Sequence, residues 1–378
     1  MKNILITGGA GFIGSSIALG LIDNGYNVTI LDNLSPQIHG DNPENSFLYK
    51  RLKNKVNFIK GDVSNRIDWE KALVNQDAVI HLAAETGTGQ SMYEIEKYTK
   101  VNIGGTAALL DILTNAKNYV KKVIVASSRA IYGEGRYFCE EHGIVYPHER
   151  KEQNMLNKDF NNKCPVCSRN VQLKATDEEA KIHPSSIYGI TKQVQEQMVL
   201  LSCKAVNIPS VAYRYQNVYG PGQSLKNPYT GILSIFSTSM LHNQPINIFE
   251  DGEESRDFIY IDDVVDATIL GLEKDAANFQ VFNVGSGKST TVKQVAELLK
   301  VHYNSDSEIK ITGNFRLGDI RHNYADISRI NKLLGFVPKY KFEEGIKLFT
   351  EWVKKENIEK NNSYQESLSE MQKKGLFK

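Results

Sequence analysis

A glycine pattern near the beginning of the chain constrains its fold more strongly than any other feature. Gly8, Gly11 and Gly14 follow an apolar segment at Asn3–Thr7 and open a segment with apolar residues at helical spacing. Glycine at these positions permits a tight strand-to-helix turn, a close backbone approach to a pyrophosphate and close packing of helix on strand. The free N–H groups at the start of the helix would face the phosphates. The pattern therefore predicts a dinucleotide-binding site at the start of a βαβ unit.

Strand-like and helix-like segments alternate through the first half of the chain. The strand-like segments are rich in β-branched residues and almost continuously apolar, which is typical of strands buried on both faces of a parallel sheet. They lie at Asn3–Thr7, Val28–Asp32, Val56–Gly61, Ala78–Leu82 and Val123–Ser127, and a further strand is predicted later, at Val211–Tyr215. We predict an α/β fold, a Rossmann doubly wound parallel sheet with a smaller mixed α/β substrate-binding domain and a cysteine-containing insertion.

The 378 residues are sufficient for two domains and a tail. We expect residues 1–215 to form the dinucleotide-binding domain, with a polar insertion at about 134–184. Residues 216–353 are expected to form a substrate-binding domain that is interleaved with the first. Charged and amide side chains dominate 354–378, so we expect a polar C-terminal tail, frayed or disordered, without a function.

The charge balance excludes some classes of partner. The chain has 45 Lys+Arg and 44 Asp+Glu, a net charge of +1, which provides no overall field for nucleic acid or an anionic membrane. No apolar run approaches the roughly 18 residues of a membrane span. The first apolar stretch is also too short for a signal peptide. We therefore expect a soluble, cytoplasmic protein with a small-molecule substrate, no nucleic-acid partner and no membrane.

An acidic residue after the second predicted strand indicates which dinucleotide binds. Asp32 lies eighteen residues after Gly14, where a carboxylate accepts hydrogen bonds from the adenosine ribose and repels a 2′-phosphate. This favours NAD over NADP; the alternative is a solvated turn aspartate beside Asn33. Asp62 and Val63 end the third predicted strand, where they would border the adenine, although this stretch is also typical of an ordinary turn.

A Y-x-x-x-K pattern supplies a candidate base. The pattern occurs at 49–53 and 93–97 as well, but Tyr188 and Lys192 lie near the start of a predicted helix after the fifth strand. The i,i+4 spacing puts both side chains on one face. A nearby ammonium favours the phenolate and lowers the tyrosine pKa towards a useful range for a general base. The alternative is an ordinary pair on an exposed helix. The run at 127–133 supplies the hydroxyl partner expected at the end of the fifth strand.

Taken together, these motifs resemble the extended short-chain dehydrogenase/reductases, specifically the NAD-dependent nucleotide-sugar epimerases and dehydratases. The matching segments cover about residues 1–340 in the order of that family: 8–14, 81–84, 127–133, 188–192, 214–221, 256–258 and 316–321. The resemblance implies that Tyr188 is the base, that Lys192 holds the ribose hydroxyls and tunes Tyr188, and that Ser128 polarises the reacting oxygen. It also implies a set of NAD contacts: Gly8, Gly11, Phe12, Ile13, Gly14, Asp32, Asn33, Asp62, Val63, Leu82, Ala83, Ala84, Tyr188, Lys192 and Tyr215.

The implied activity is a nucleotide-sugar 4-epimerase. In this reaction the sugar is oxidised at C4 to a 4-keto sugar, and hydride returns to the opposite face. The family's 4,6-dehydratases carry Asp-Glu directly after the hydroxyl residue, whereas Arg129 and Ala130 follow Ser128 here, which disfavours dehydration. Two alternatives remain: an NDP-sugar reductase or dehydrogenase that releases its reduced cofactor, and a non-catalytic NAD-sensing protein.

The substrate end of the site is expected to hold a diphosphate, which guanidinium groups bind well. Arg256 and Arg321 match the phosphate-binding arginines of the family; the alternative is a surface salt bridge from each arginine to a neighbouring acid, Asp257 or Asp319. The full set of implied substrate contacts is Thr86, Ser128, Asn217, Asn227, Phe249, Arg256 and Arg321. The resemblance also implies a homodimer formed through helices at 98–117 and 188–206.

Three of the four cysteines fall in the predicted insertion, in a metal-binding pattern. Cys139 with His142 and Cys164 with Cys167 form two short-spaced pairs, which suit a tetrahedral structural zinc site. The alternative is unligated thiols in a polar loop. The insertion, together with the segment 85–93, resembles a subgroup described as dTDP-L-rhamnose 4-epimerases, which make dTDP-6-deoxy-L-talose. UDP- and GDP-sugars remain alternative substrates.

Overall fold

A seven-stranded parallel sheet forms the centre of the protein in the computed structural model, which describes residues 1–225, 227, 231–356 and 363–378. Its strands are β1 Asn3–Thr7, β2 Asn27–Asp32, β3 Asn57–Lys60, β4 Ala78–His81, β5 Lys122–Ser128, β6 Ser210–Tyr215 and β7 Gln280–Val284. All pairings are parallel, and the spatial order is β3-β2-β1-β4-β5-β6-β7. The strand order reverses beside β1, as in Rossmann folds. The predicted α/β fold class is confirmed.

Alternating residues along each strand pack against helices on opposite faces of the sheet. Ile4 and Ile6 belong to one apolar cluster and Leu5 to the other, and all three are completely buried. Residues on both faces are therefore apolar, which explains the nearly continuous hydrophobic runs in the sequence.

The described helices, α1 to α15 in chain order, are Phe12–Asp23, Pro36–His39, Phe47–Lys50, Arg66–Ala72, Thr88–Ser91, Ile95–Tyr98, Gly105–Asn115, Glu152–Leu156, Ile187–Ala205, Ile232–Leu241, Ile261–Glu273, Val292–Tyr303, Ser328–Leu334, Phe342–Val353 and Ser363–Lys373. Helices α1 and α11 cover one face of the sheet, and α7 and α9 cover the other. The helix expected at 98–117 is interrupted by a π-helical segment at Thr99–Gly104. Such segments are frequent at functional sites. None of the described helices is long and apolar enough to cross a membrane.

Smaller sheets form the second half of the molecule and the insertion. The parallel pairs are Asn217–Tyr219 with Phe258–Tyr260, and Ile246–Ile248 with Ile309–Ile311; Ser255–Arg256 lies between Thr290–Thr291 and His322–Asn323. In the insertion, Tyr137–Cys139 pairs with Gly143–Val145 and Gln172–Leu173. The strand β7, from the second half of the chain, completes the central sheet.

A buried ionic network joins the insertion to the second half. Arg150 lies 3.4 Å from Glu134 and 2.7 Å from Glu250, and Arg321 lies 2.8 Å from the same Glu250 carboxylate oxygen. These four side chains are almost completely buried. Removing one partner would leave a buried charge without compensation, so the network holds the two parts in a defined arrangement.

The described part of the expected tail is ordered against the rest of the protein. Helix α15 spans Ser363–Lys373, and the residues after it pair with 315–317: Phe315 N–H donates to the Lys378 carbonyl and Leu317 N–H to the Leu376 carbonyl, both at 3.0 Å. The expectation of a frayed or disordered tail thus differs from the structure at 363–378. The reason is that Met371 packs against Gly89 and Phe377 against Phe249, and composition does not reveal these contacts. The stretch 357–362 lies outside the described residues.

Candidate active site

One continuous cleft of about 590 Å³ opens along the carboxyl ends of the parallel strands. Every predicted cofactor and substrate residue lines it, with the exception of Arg321. The glycine turn after β1 and the arginines of the 256 and 316 segments line the same cleft. Because all the strands run in one direction, their ends supply functional groups to the same edge of the sheet.

The glycine turn is held by backbone contacts that allow no larger residues. Gly8 has φ +65°, and a Cβ there would lie 2.8 Å from the Ala83 amide nitrogen. A Cβ on Gly14 would overlap the carbonyl oxygen of Gly8. The Asp32 carboxylate accepts the Ala10 N–H at 2.9 Å. The turn is therefore fixed close to β4 and β2, and it leaves the N-terminus of α1 open to the cleft.

Asp32 has a neighbour that the sequence patterns did not indicate. His39 in α2 lies beside it and lines the cleft. Burial raises the pKa of Asp32, and N–H donation from Leu34 and Ala10, together with the charge of His39, opposes that rise. Burial also lowers the pKa of His39. The sequence carries no pattern for this histidine, because only the fold of the 33–39 loop brings it to Asp32.

Tyr188 is placed by the first turn of α9. Ser186 caps this helix by accepting the Gly189 N–H at 3.1 Å, and Ser91 accepts the Tyr188 N–H at 3.0 Å. A Cβ on Gly189 would lie 2.6 Å from the Ala130 carbonyl oxygen. Glycine at 189 thus lets the helix approach the turn that follows β5. This approach brings Tyr188 beside Ser128.

The charges around Tyr188 differ from the simple Tyr/Lys expectation. Burial raises the pKa of Tyr188, whereas hydrogen bonding to the Ser128 side chain and the positive charge of Arg129 lower it. Lys192 donates to Gln195 Oε1 at 2.9 Å, and burial lowers the pKa of Lys192 to about 7. In this arrangement the guanidinium of Arg129 is the cation that acts on Tyr188.

Arg129 lines the cleft directly after Ser128. Its Nε donates to Asn217 Oδ1 at 2.7 Å. Burial, together with the nearby charge of Arg256, lowers the pKa of Arg129 to about 10, so it remains a cation near neutral pH. In the sequence, position 129 was informative only as the absence of a dehydratase carboxylate.

A buried polar chain supports Lys192 from behind. Gln195 Nε2 donates to Thr106 Oγ1 at 2.8 Å, and Thr106 Oγ1 lies 3.0 Å from His81 Nε2. Burial and the charge of Lys192 lower the pKa of His81 to about 3, so this imidazole is neutral. Thr106 also donates to the carbonyl of Asn102, which lies in the π-helical segment. The π segment therefore helps to orient α9.

Two arginines from the second half of the chain line the cleft, but they are not the pair expected from the sequence, Arg256 and Arg321. Arg256 and Arg316 line the cleft, and both face Asp319, at 3.1 Å and 3.8 Å respectively. Arg321 does not line it: only 2% of its side chain is exposed, because its guanidinium binds Glu250 at 2.8 Å and Asp251 at 2.7 Å. The structure thus assigns Arg321 to the buried network and brings Arg316 to the cleft.

Arg256 is fixed through its neighbour Asp257. The buried Asp257 carboxylate accepts the N–H groups of Ser286 at 2.7 Å, Gly287 at 3.0 Å and Ala325 at 3.1 Å. These bonds tie together three loops beneath the arginine. The Asp257 carboxylate thus binds backbone N–H groups, and the alternative of a salt bridge between Arg256 and Asp257 is not what the structure describes; the Arg256 side chain instead lines the cleft and pairs with Asp319.

The insertion holds four metal-binding side chains within 4.8 Å of one another. Cys139 Sγ lies 3.5 Å from His142 Nδ1 and 3.7 Å from Cys167 Sγ, and Cys164 Sγ lies 3.7 Å from His142 Nδ1. Tetrahedral zinc with Zn–S bonds of about 2.3 Å separates its sulfur ligands by about 3.8 Å. The donor set and its spacing fit a zinc ion.

Comparison with known proteins identifies the family. The model of the NAD dependent epimerase/dehydratase family matches residues 4–152 and 165–285. The chain belongs to the NAD dependent epimerase/dehydratase family. The match is interrupted at 153–164, which lies within the insertion.

Relatives and solved structures of this family extend over nearly the whole chain. A dTDP-L-rhamnose 4-epimerase of Burkholderia thailandensis is 37% identical over 95% of this chain and 97% of its own length. The structure of Thermotoga maritima UDP-glucose 4-epimerase with UDP-glucose has a TM-score of 0.75 and 34% identity, covering 94% of this chain and 99% of the other. The Bacillus cereus UDP-glucuronic acid 4-epimerase complex with UDP-glucuronic acid and NAD has a TM-score of 0.76 and 26% identity, covering 93% and 99%.

The position of Arg129 leads to a test by titration. Replacing Arg129 with methionine removes a positive charge that lowers the pKa of Tyr188, so the tyrosine pKa should rise. Arg129→Lys keeps the positive charge and should therefore raise the Tyr188 pKa less than Arg129→Met does. The titration is followed by near-ultraviolet tyrosinate absorbance, as the difference between each protein and its Tyr188→Phe counterpart. Identical Tyr188 titrations in the wild type and Arg129→Met would contradict the assignment.

Proposed function

We propose that this chain is an NAD-dependent nucleotide-sugar 4-epimerase, in which Tyr188, Lys192 and Ser128 are the catalytic residues. The observation that carries the proposal is that one cleft is lined by the glycine turn, by Tyr188 and Ser128, and by Arg256 and Arg316. These three groups suit a dinucleotide, a reacting sugar and a diphosphate, respectively. Family membership and the names of the relatives support the same activity.

The cofactor end of the cleft fits NAD. Gly11 lines the cleft, and apart from its chain neighbours a Cβ there would meet only the Gly8 carbonyl oxygen, at 3.2 Å, among the described residues. The α1 N-terminus offers N–H groups to phosphate, and two Asp32 oxygens retain acceptor capacity for ribose hydroxyls. NAD bound there would accept hydride from the sugar and return it.

The chain's own residues handle the proton and the oxygen. Tyr188, as phenolate, removes the proton of the 4-hydroxyl, and Ser128 donates a hydrogen bond to the same oxygen. The oxygen of the 4-keto sugar stays polarised by Ser128 while the sugar turns in the cleft. Tyr188 then returns the proton to that oxygen. Arg256 and Arg316 hold the diphosphate during this turn, so the sugar is not released.

We infer dTDP-L-rhamnose, converted to dTDP-6-deoxy-L-talose, as the substrate. The 37% identical Burkholderia relative supports this choice, whereas the named structural relatives act on UDP-sugars. The decisive experiment is a panel of dTDP-, UDP- and GDP-sugars assayed for the 4-epimer. Conversion of dTDP-L-rhamnose faster than any UDP- or GDP-sugar supports the assignment, and preference for a UDP- or GDP-sugar contradicts it.

Removing the Tyr188 hydroxyl tests the catalytic assignment. Tyr188→Phe should lower kcat by about 10²–10⁴-fold, because general acid–base transfer is lost. Wild-type turnover should produce no net change in the absorbance of reduced nicotinamide, since the hydride is returned. Tyr49→Phe, at another Y-x-x-x-K tyrosine that does not line the cleft, serves as the control. Undiminished activity in Tyr188→Phe would exclude Tyr188 as the base, and stoichiometric accumulation of reduced cofactor would indicate a reductase or dehydrogenase.

The insertion is proposed to bind a structural zinc ion through Cys139, His142, Cys164 and Cys167. The guanidinium of Arg169 supports the site by donating to Cys167 Sγ at 3.5 Å, and the Ser168 N–H donates to the Cys164 carbonyl at 2.9 Å. Such outer contacts orient metal ligands. The four cysteines form no disulfide bond, which suits a reducing compartment and the expected cytoplasmic location.

Metal analysis tests the zinc site. The purified protein should contain about one zinc per chain, and Cys164→Ser should lose it and unfold at a lower temperature. Cys203→Ala is the matched control, because Cys203 is buried in α9 outside the cluster. A wild-type protein prepared with zinc that contains none would refute the site.

A homodimer formed through α7 and α9 is supported by an exposed apolar stripe on α9. Ile190 and Leu201 are 43% and 74% exposed, and eleven residues amount to about three helical turns, so they share a face. Leu201→Glu should convert the dimer into monomer by light scattering. Val301→Glu, on the equally exposed α12 surface, should remain dimeric. A monomeric wild type would contradict this interface.

A further inference from the structure

The outer wall of the cleft is formed by the segment 363–378, to which the sequence patterns assigned no function. Tyr364 and Met371 of α15 line the same cleft as Tyr188 and Arg256. They are seven residues apart and share one helix face with Ser367; Met371 is 3% and Ser367 4% exposed. The opposite face carries the exposed residues Glu366 and Lys373.

One side of this segment is attached to the loop at 87–93, which follows the predicted substrate residue Thr86. The Met371 thioether packs against the backbone of Gly89, where a Cβ would lie 3.3 Å from its sulfur. Tyr93 donates to Glu370 at 3.3 Å, and Lys374 lies 4.7 Å from the Tyr93 ring centre. Gly87, Thr88 and Gly89 themselves line the cleft. The helix therefore closes the sugar end.

Its other side is attached to the diphosphate end. The backbone of 376–378 pairs with 315–317, and the Phe377 ring lies 5.0 Å from that of Phe249. The Arg316 guanidinium carbon lies over the Phe249 ring, 5.2 Å from its centre. Burial raises the pKa of Tyr364, and the charge of Arg316 opposes that rise. Tyr364 is therefore close to the arginine that we assign to the diphosphate.

We propose that α15 is part of the substrate site: Tyr364 contacts the diphosphate of the bound nucleotide sugar beside Arg316, and Met371 contacts its sugar. This inference rests on the proposed function, which it extends by two substrate-binding residues. Because the segment 363–378 contacts both the loop at 87–93 and the segment of Phe249 and Arg316, a nucleotide sugar bound between them would lie beneath α15. An isolated helix of this length is marginal in water, so α15 depends on its docking contacts. Ligand that touches it should hold it in place.

The first test separates binding from structure with single substitutions. Tyr364→Phe removes only a hydroxyl and should raise the KM for dTDP-L-rhamnose about threefold to tenfold, with kcat changed less. Met371→Ala should raise the KM by a similar factor. Glu366→Ala and Lys373→Ala, on the exposed face of the same helix, should leave both constants within about twofold.

The second test follows hydrogen exchange in the NAD-loaded wild type. Addition of dTDP-L-rhamnose, or of UDP-glucose in a separate sample, should slow amide exchange in 364–376. Slowed exchange without epimerisation of either sugar supports the placement of α15 in the substrate site and contradicts the proposed function. The opposite outcome is epimerisation with unchanged exchange in 364–376 and an unchanged KM in Tyr364→Phe and Met371→Ala. It would contradict the placement of α15 in the substrate site and leave the proposed function unaffected.

Discussion

The common direction of the seven central strands is the constraint on which the rest of the structure depends. Parallel strands bring all their carboxyl ends to one edge of the sheet. The glycine turn follows β1, Asp32 ends β2, Ala83 follows β4 and Ser128 ends β5, and each therefore reaches the same cleft. Consecutive parallel strands are joined by crossover helices, which pack on both faces of the sheet. Because helices cover both faces, the strands are apolar on both sides.

Burial sets the electrostatics of the cleft. It raises the pKa of Tyr188 and lowers that of Lys192 to about 7, so the Tyr/Lys pair alone does not provide a permanently charged cation beside the phenol. Arg129 provides that charge, and Asn217 holds it in position. A guanidinium remains protonated in surroundings where an ammonium does not. The same residue occupies the position of a dehydratase carboxylate, which links the electrostatics to the choice of reaction.

The sequence was most informative where a local pattern decides the geometry. The strands of the central sheet lie within one residue of the predicted bounds at nearly every end, and the glycine turn lies where its spacing placed it. Arg321 and Arg316 show where prediction from local patterns ends. Both belong to the matching segment 316–321, and only the path of the backbone decides that the Arg316 guanidinium lines the cleft. His39 and α15 depend on contacts between distant parts of the chain, and no local pattern encodes those contacts.

The insertion and α15 both act on the substrate half of the molecule through long-range contacts. Arg150 of the insertion donates to the Asp319 carbonyl at 2.9 Å, and Asp319 faces Arg256 and Arg316. Lys378 pairs with Glu152 of the insertion at 3.1 Å. The part of the cleft around Arg256 and Arg316 is therefore assembled from separate segments of the chain, whereas the part around the glycine turn is built mainly from the strand ends of the central sheet.

The central claim is that hydride leaves C4 of the sugar and returns to the same carbon. Following the fate of deuterium from dTDP-L-rhamnose labelled at C4 tests it most directly. If Tyr188 and Ser128 act as proposed, the 4-epimer retains the deuterium at C4, and in heavy water an unlabelled substrate gains none there. Loss of the label to solvent, or its release on free reduced cofactor, would contradict epimerisation by transient oxidation at C4.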